Sequence, residues 1–109
     1  MAQYCYVAIT DSVPGREEDF NTWYEQQHVR DVLRIPGFVA ARRFKLVQSQ
    51  GGLPGRYLAL YEIETDDPRG ALAELMQRVG TAQMVMSDAL DSSKVAAGLF
   101  VALGARRTA

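Results

Sequence analysis

One stretch, Phe20-Asn21-Thr22-Trp23-Tyr24-Glu25-Gln26-Gln27-His28-Val29-Arg30-Asp31, gathers side chains suited to moving a proton, and it holds the chain's only tryptophan and only histidine. Set on a helix, Phe20, Tyr24, His28 and Asp31 fall four, four and three residues apart and share one face. Imidazole has the side-chain pKa nearest neutrality, so it can take up or release a proton under ordinary conditions. A phenol one turn before it and a carboxylate one turn after it supply a hydrogen-bond donor and an orienting acid. General acid–base chemistry is therefore the function to test. The plainer alternative is a helix-end histidine that packs and makes one hydrogen bond.

The elements around that stretch are legible. Tyr4 to Thr10 is rich in aromatic and β-branched residues and stops at Asp11-Ser12-Val13-Pro14-Gly15, which marks a strand and then a turn. Arg16 to about Leu33 carries apolar residues at helical spacing, with Glu17, Glu18 and Asp19 matching the helix dipole and Asp11 or Ser12 as candidate caps. Pro36-Gly37 ends it. Phe38 to Gln48 and Arg56 to Thr65 form a hairpin of two strands around a Gly/Pro-rich loop. Asp66-Asp67-Pro68 starts a second helix carrying Ala71, Leu72, Leu75, Met76 and Val79. Thr81 to Ser93 is ambiguous, with a short helix through Met84, Ala89 and Leu90 as one option. Val95 to Leu103 is the last strand.

The order is β-α-β-β-α-β, the ferredoxin-like α+β arrangement: an antiparallel four-stranded sheet with both helices on one face. The 109 residues make one domain, 1–109. The expected second face of the sheet, carrying Tyr4, Tyr6, Phe44, Tyr57, Tyr61 and the apolar last strand, is too greasy to face water, so a homodimer with its two sheets opposed is predicted. By the same phase, Cys5 points at the helices.

Composition removes several function classes. A formal net charge of −1 and a lone Arg106-Arg107 pair give no footprint for nucleic acid. One cysteine and one histidine leave no set for a metal site or an intrachain disulfide. No phosphate-loop lysine accompanies the glycines. Met1-Ala2-Gln3-Tyr4 lacks the charge and apolar run of a signal peptide, and Val95 to Ala105 is far short of the roughly 20 residues of a membrane helix. A cytoplasmic protein is expected.

Phe20-x-x-Trp23-Tyr24-x-x-x-His28-x-x-Asp31, then Ile35-Pro36-Gly37-Phe38 and Arg43-Phe44, resembles the dimeric α+β barrel superfamily, and within it the EthD-like group of small bacterial proteins. The resemblance covers nearly the whole chain in element order, and its specific motif spans Phe20 to Phe44. It implies a barrel shared between two protomers and chemistry on small aromatic or unsaturated rings. The superfamily's activities include cofactor-independent monooxygenases, isomerases, cyclases and haem-dependent enzymes, and fold alone does not choose among them.

On this basis the candidate catalytic residues are His28, Asp31 and Tyr24: His28 transfers the proton, Asp31 orients it, and Tyr24 steadies a developing oxyanion. Asp31 has an open alternative, pairing with Arg30, Arg34 or Arg42, and Tyr24 another, a core aromatic with a wet tip. Candidate substrate-binding residues are Tyr6, Arg43, Phe44, Tyr57 and Tyr61 along the barrel, with Trp23 mainly a packing residue. Arg42 and Arg43 occupy opposite faces of their strand, and the family pattern favours Arg43 inward. The expected function is a cofactor-independent isomerase, lyase or cyclase acting on a small aromatic, lactone-like or polyketide-derived compound, with no cofactor and no metal. The alternatives are a cofactorless monooxygenase, and a non-enzymatic binding or accessory protein of a catabolic pathway. Haem with His28 as axial ligand is disfavoured, since no second ligand exists and the motif is that of non-haem members.

Overall fold

The structure, a computed structural model, describes residues 3–109. Met1 and Ala2, part of the segment read for a targeting signal, lie outside the described residues. The β1 strand (Gln3–Thr10) pairs antiparallel with β3 (Tyr57–Glu64) on one side and β4 (Ala96–Val101) on the other, and β2 (Phe38–Lys45) pairs antiparallel with β3. The sheet order is β2-β3-β1-β4. Between β1 and β2 run α1 (Glu17–Trp23), a π-helical turn (Tyr24–His28) and α2 (Val29–Val32); α3 (Pro68–Arg78) follows β3. This is the expected β-α-β-β-α-β order, folded as a ferredoxin-like α+β domain. No helix among the described residues is long and apolar enough to cross a membrane.

Local chemistry explains the boundaries. Asp67 caps α3 by accepting a hydrogen bond from the Gly70 N–H at 3.0 Å, with Pro68 in the first position, where its missing N–H costs nothing. The start of α1 is different. Neither Asp11 nor Ser12 caps it; Arg16 holds the N-cap position with no side-chain cap bond. Asp11 is instead drawn into a bidentate pair with Arg56, which donates from Nε at 3.0 and 3.1 Å and from Nη2 at 2.7 Å. Arg56 Nη1 also meets Glu17 at 3.0 Å, so one guanidinium ties together the end of β1, the start of α1 and the approach to β3. Beside it, a Cβ on Gly55 would collide with the Thr10 carbonyl, which is why the loop passes here on a glycine.

The β2–β3 hairpin is present, closed by the Leu46 N–H donating to the Arg56 carbonyl at 2.6 Å. Its loop starts earlier than expected because β2 ends at Lys45 rather than Gln48. The ambiguous Thr81–Ser93 stretch forms no α-helix. It is a strap fastened to the turn after β1: Val13 N–H donates to the Ala89 carbonyl at 2.8 Å and Asp91 N–H to the Asp11 carbonyl at 3.0 Å, around a Ser12–Leu90 bridge. Met84 and Ala89 anchor the strap in the core. Polar Ser and Asp residues break its apolar periodicity, and the single short helix it contains is a 3-10 turn at Ser92–Lys94.

The strand register corrects the assignment of faces. Tyr6 lies opposite Tyr61, Ala8 opposite Ala59 and Thr10 opposite Tyr57, and all six are buried against the helices, where Phe20 meets the Tyr57 ring at 5.2 Å. Tyr6, Tyr57 and Tyr61 therefore belong to the helix-covered layer, not to a chamber shared between protomers. The open face carries Cys5, Val7, Ile9, Leu58, Leu60, Arg42, Phe44 and Phe100. It is apolar as expected, through different residues, and Cys5 points away from the helices. The cause is that β1 is apolar in both phases, so alternation alone leaves its orientation open, while the helices select the face that seats Phe20, Val32 and Leu75.

Candidate functional site

The π-helical turn positions the histidine. Val29 N–H reaches back to the Tyr24 carbonyl, five residues away, and widens the helix at that point. His28 is thereby brought over Trp23, also five residues before it, and the two rings stack at 4.7 Å with 27° between planes. The Tyr24 ring meets His28 edge-on at 4.9 Å and 86°. Trp23 is held in turn by its indole N–H, which donates to the Val85 carbonyl of the strap at 2.9 Å. The imidazole thus sits in an aromatic corner formed by Trp23 and Tyr24.

This corner opens onto an apolar cavity of about 220 Å³ between the sheet and the helices. Tyr6, Thr10 and Tyr61 supply its sheet wall, Trp23, Tyr24 and His28 its helical wall, while Met86 and Leu90 of the strap cover one side. Met76, Val79 and Val95, all well exposed, mark its mouth near the end of α3. Among the described residues, no aspartate, glutamate, lysine or arginine lines it.

Burial sets the electrostatics. His28 is only 9% exposed, and removal from water pushes its pKa down to about 4; nearby Asp31 pulls upward and Arg43 pushes further down. The ring is therefore neutral at pH 7. Its Nδ1 is buried without a hydrogen-bond partner. Tyr61, 1% exposed, has its hydroxyl in the same condition, and burial reinforced by the neighbouring Tyr24 holds its pKa far above the ordinary phenol value. Burial also raises Tyr24 and Tyr6, so these phenols remain protonated donors. Two orphaned polar atoms in one small region are unusual for a native interior, where such atoms are almost always paired.

The expected site residues separate into two groups. His28, Tyr24, Tyr6, Tyr61 and Trp23 border one cavity. Asp31, Arg43, Tyr57 and Phe44 do not. Asp31 is buried, but it accepts hydrogen bonds from Gln27 Nε2 at 2.8 Å, one helical turn before it, and from Arg34 Nη1 at 3.1 Å, three residues after it, and makes none with His28. Arg43 is the strand arginine that faces the helices, while Arg42 lies on the open face over Phe44. Arg43 stacks on the outer face of Tyr24 at 4.3 Å and is engaged by Asn21 at 2.7 Å and Glu25 at 3.0 Å. Tyr57 donates its hydroxyl to Glu17 at 3.1 Å, and Phe44 is 45% exposed on the open face. Thr10 is a cavity residue that the sequence reading did not single out; its place two residues beyond Ala8 in the Tyr6-Ala8-Thr10 alternation is the signal that identifies it.

The chain shares its ferredoxin-like α+β fold with solved structures of low sequence identity. A structure of MhuD, a heme-degrader from Mycobacterium tuberculosis with two hemes in its active site, aligns with a TM-score of 0.64 at 13% identity over 95% of this chain and 99% of that one. HapK from Hahella chejuensis aligns with a TM-score of 0.51 at 16% identity, covering 100% of this chain and 99% of HapK. An EthD family protein from Bacillus halodurans aligns at 16% identity over 88% of this chain and 96% of its own, with a TM-score of 0.47. No family model and no curated protein sequence matches the chain.

Proposed function

We propose that this protein binds a small, mostly apolar ring compound in the cavity between its sheet and helices and carries out cofactor-independent proton transfer on it, in an isomerase, lyase or cyclase reaction. The observation that carries this reading is the pair of unpartnered polar atoms, His28 Nδ1 and Tyr61 Oη, on residues that border the same apolar cavity. In the free protein His28 is a weak base. A substrate whose carbonyl develops negative charge beside it, in a low-dielectric pocket, favours the imidazolium and restores its basicity. Tyr61, with Tyr24 close by, serves as donor to that oxyanion, as preorganised donors do in other acid–base sites. Asp31 acts on His28 through its field rather than by a hydrogen bond.

Haem, which the MhuD structure contains, does not fit these residues. A neutral buried imidazole is a chemically acceptable iron ligand. The cavity, however, is about 220 Å³, below the roughly 300–1,000 Å³ of pockets for drug-sized ligands, and no cation lines it to receive the two propionates.

A binding or accessory role is the second reading, favoured by the engagement of Asp31 with Gln27 and Arg34 rather than with His28. Turnover separates the two. On a panel of ring ketones and lactones, wild type is expected to exchange or shift a proton α to the carbonyl, followed by deuterium incorporation from D₂O. His28→Gln, which keeps the side chain neutral and polar, and His28→Ala are expected to lose at least about 100-fold of the rate, a typical contribution of a general base. Full activity in both variants ends the catalytic reading.

The open face of the sheet supports a homodimer. Val7, Ile9, Leu58 and Leu60 are only partly covered, and Phe44 and Phe100 are exposed beside them. Sedimentation equilibrium at micromolar concentration is expected to return a dimer, and Leu60→Glu a monomer; a wild-type monomer contradicts this assembly.

A further inference from the structure

Resting on the reading of this cavity as a ligand site, we propose that its occupant is an uncharged, single-ring carbonyl compound, and that carboxylates and other anions are excluded. Size gives the first constraint. A dry cavity of about 150 Å³ accommodates benzene. The space here, about 220 Å³, therefore holds one substituted ring within its walls.

Charge gives the second. Every titratable side chain lining the cavity is a phenol or the histidine, and none carries a formal charge at neutral pH. The nearest arginine, Arg43, lies behind the Tyr24 ring and is already bound by Glu25 and Asn21. An anion entering would be desolvated with no counter-charge in contact, a cost far above that of burying a neutral oxygen.

The polar atoms give the third. Tyr61 Oη is buried close beside the Tyr24 hydroxyl with no partner in hydrogen-bond geometry, and Thr10 lines the same cavity. Protonated phenols call for an acceptor. A carbonyl oxygen accepts two hydrogen bonds and brings no hydrogen of its own to satisfy, so it suits a wall of protonated phenols. The opposite end of the cavity, with Leu75, Met76 and Val79, is hydrocarbon and suits the ring.

Trp23, the only tryptophan, stacks on His28 at the cavity wall, so its emission reports occupancy without a label. Full-length protein at pH 7 is titrated with acetophenone, benzoate and toluene, with calorimetry as a second readout. Acetophenone is expected to bind saturably and more tightly than toluene, and benzoate at least about 100-fold more weakly than acetophenone. Tyr61→Phe is expected to weaken acetophenone by about tenfold relative to toluene, the loss of one hydrogen bond. Thermal unfolding of that variant, equal to or above wild type, verifies that the fold is retained. Benzoate binding within tenfold of acetophenone, an unchanged acetophenone-to-toluene ratio in Tyr61→Phe, or no binding of any probe overturns the proposal. A protein that prefers benzoate yet loses turnover in His28→Gln sinks the ligand class alone. One that binds acetophenone as expected but shows no proton exchange on any ketone sinks the catalytic reading alone.

Discussion

Between pH 6.5 and pH 4 the wild-type protein is expected to lose about 2–4 kcal/mol of stability, and His28→Gln is expected to lose almost none of it. In the unfolded chain His28 protonates with an ordinary pKa of about 6.5. In the folded protein burial holds it down to about 4. Within that window the unfolded state binds the extra proton and the folded state does not, so stability rises with pH. Above 6.5 both states are neutral and the loss vanishes; below 4 both are charged and it is complete. Urea unfolding at half-unit intervals measures the difference. A wild type as flat as His28→Gln across this range contradicts the buried neutral imidazole.

The second large effect concerns Asp11. Asp11→Ala is expected to destabilise the protein by about 1.5–3 kcal/mol, the range for hydrogen bonds to a charged group. The carboxylate accepts from two guanidinium nitrogens of half-exposed Arg56 and from the Ser12 N–H at 2.8 Å, so its removal strands a buried backbone donor as well as the cation. For a chain of this size that is a fall in Tm on the order of 10 °C. Arg56 also holds the Asp11 pKa below the usual carboxylate range, with burial opposing and the Ser12 N–H assisting. The sign follows: this contribution is complete above the unfolded carboxylate pKa near 4 and disappears as pH falls through the lower folded value. Asp11→Ala should therefore flatten the stability curve below pH 4, a region distinct from the one His28 controls. A loss under 0.5 kcal/mol would mean that Glu17 alone retains Arg56.

Much of the fold was legible because local signals and the overall pattern agree. Pro68 after Asp67, Pro36-Gly37 after the first helix, and the alternation through Tyr57, Ala59, Tyr61 and Ile63 each mark an element that is observed. Two features were not legible, for different reasons. The face of β1 is undetermined by its own residues, since Tyr6 and Val7 are both apolar, and only packing against Phe20 decides it. The π turn leaves no compositional mark. It shows in the stacking of His28 on Trp23, five residues back, while Asp31 is held by Gln27 and Arg34. The His28–Tyr24 pairing was visible as a four-residue spacing. The stacking of His28 on Trp23, and the place of Tyr61 on the wall of the same cavity from another element, were not.

The central claim is that His28 is a neutral imidazole at the wall of a ligand-binding cavity. One measurement tests it directly: the ring resonances of the single histidine followed by NMR from pH 3 to pH 8, with and without saturating acetophenone. One titration near pH 4 is expected in the free protein, with ring shifts that move when the ketone binds. A titration near 6.5 that ignores the ketone would contradict it.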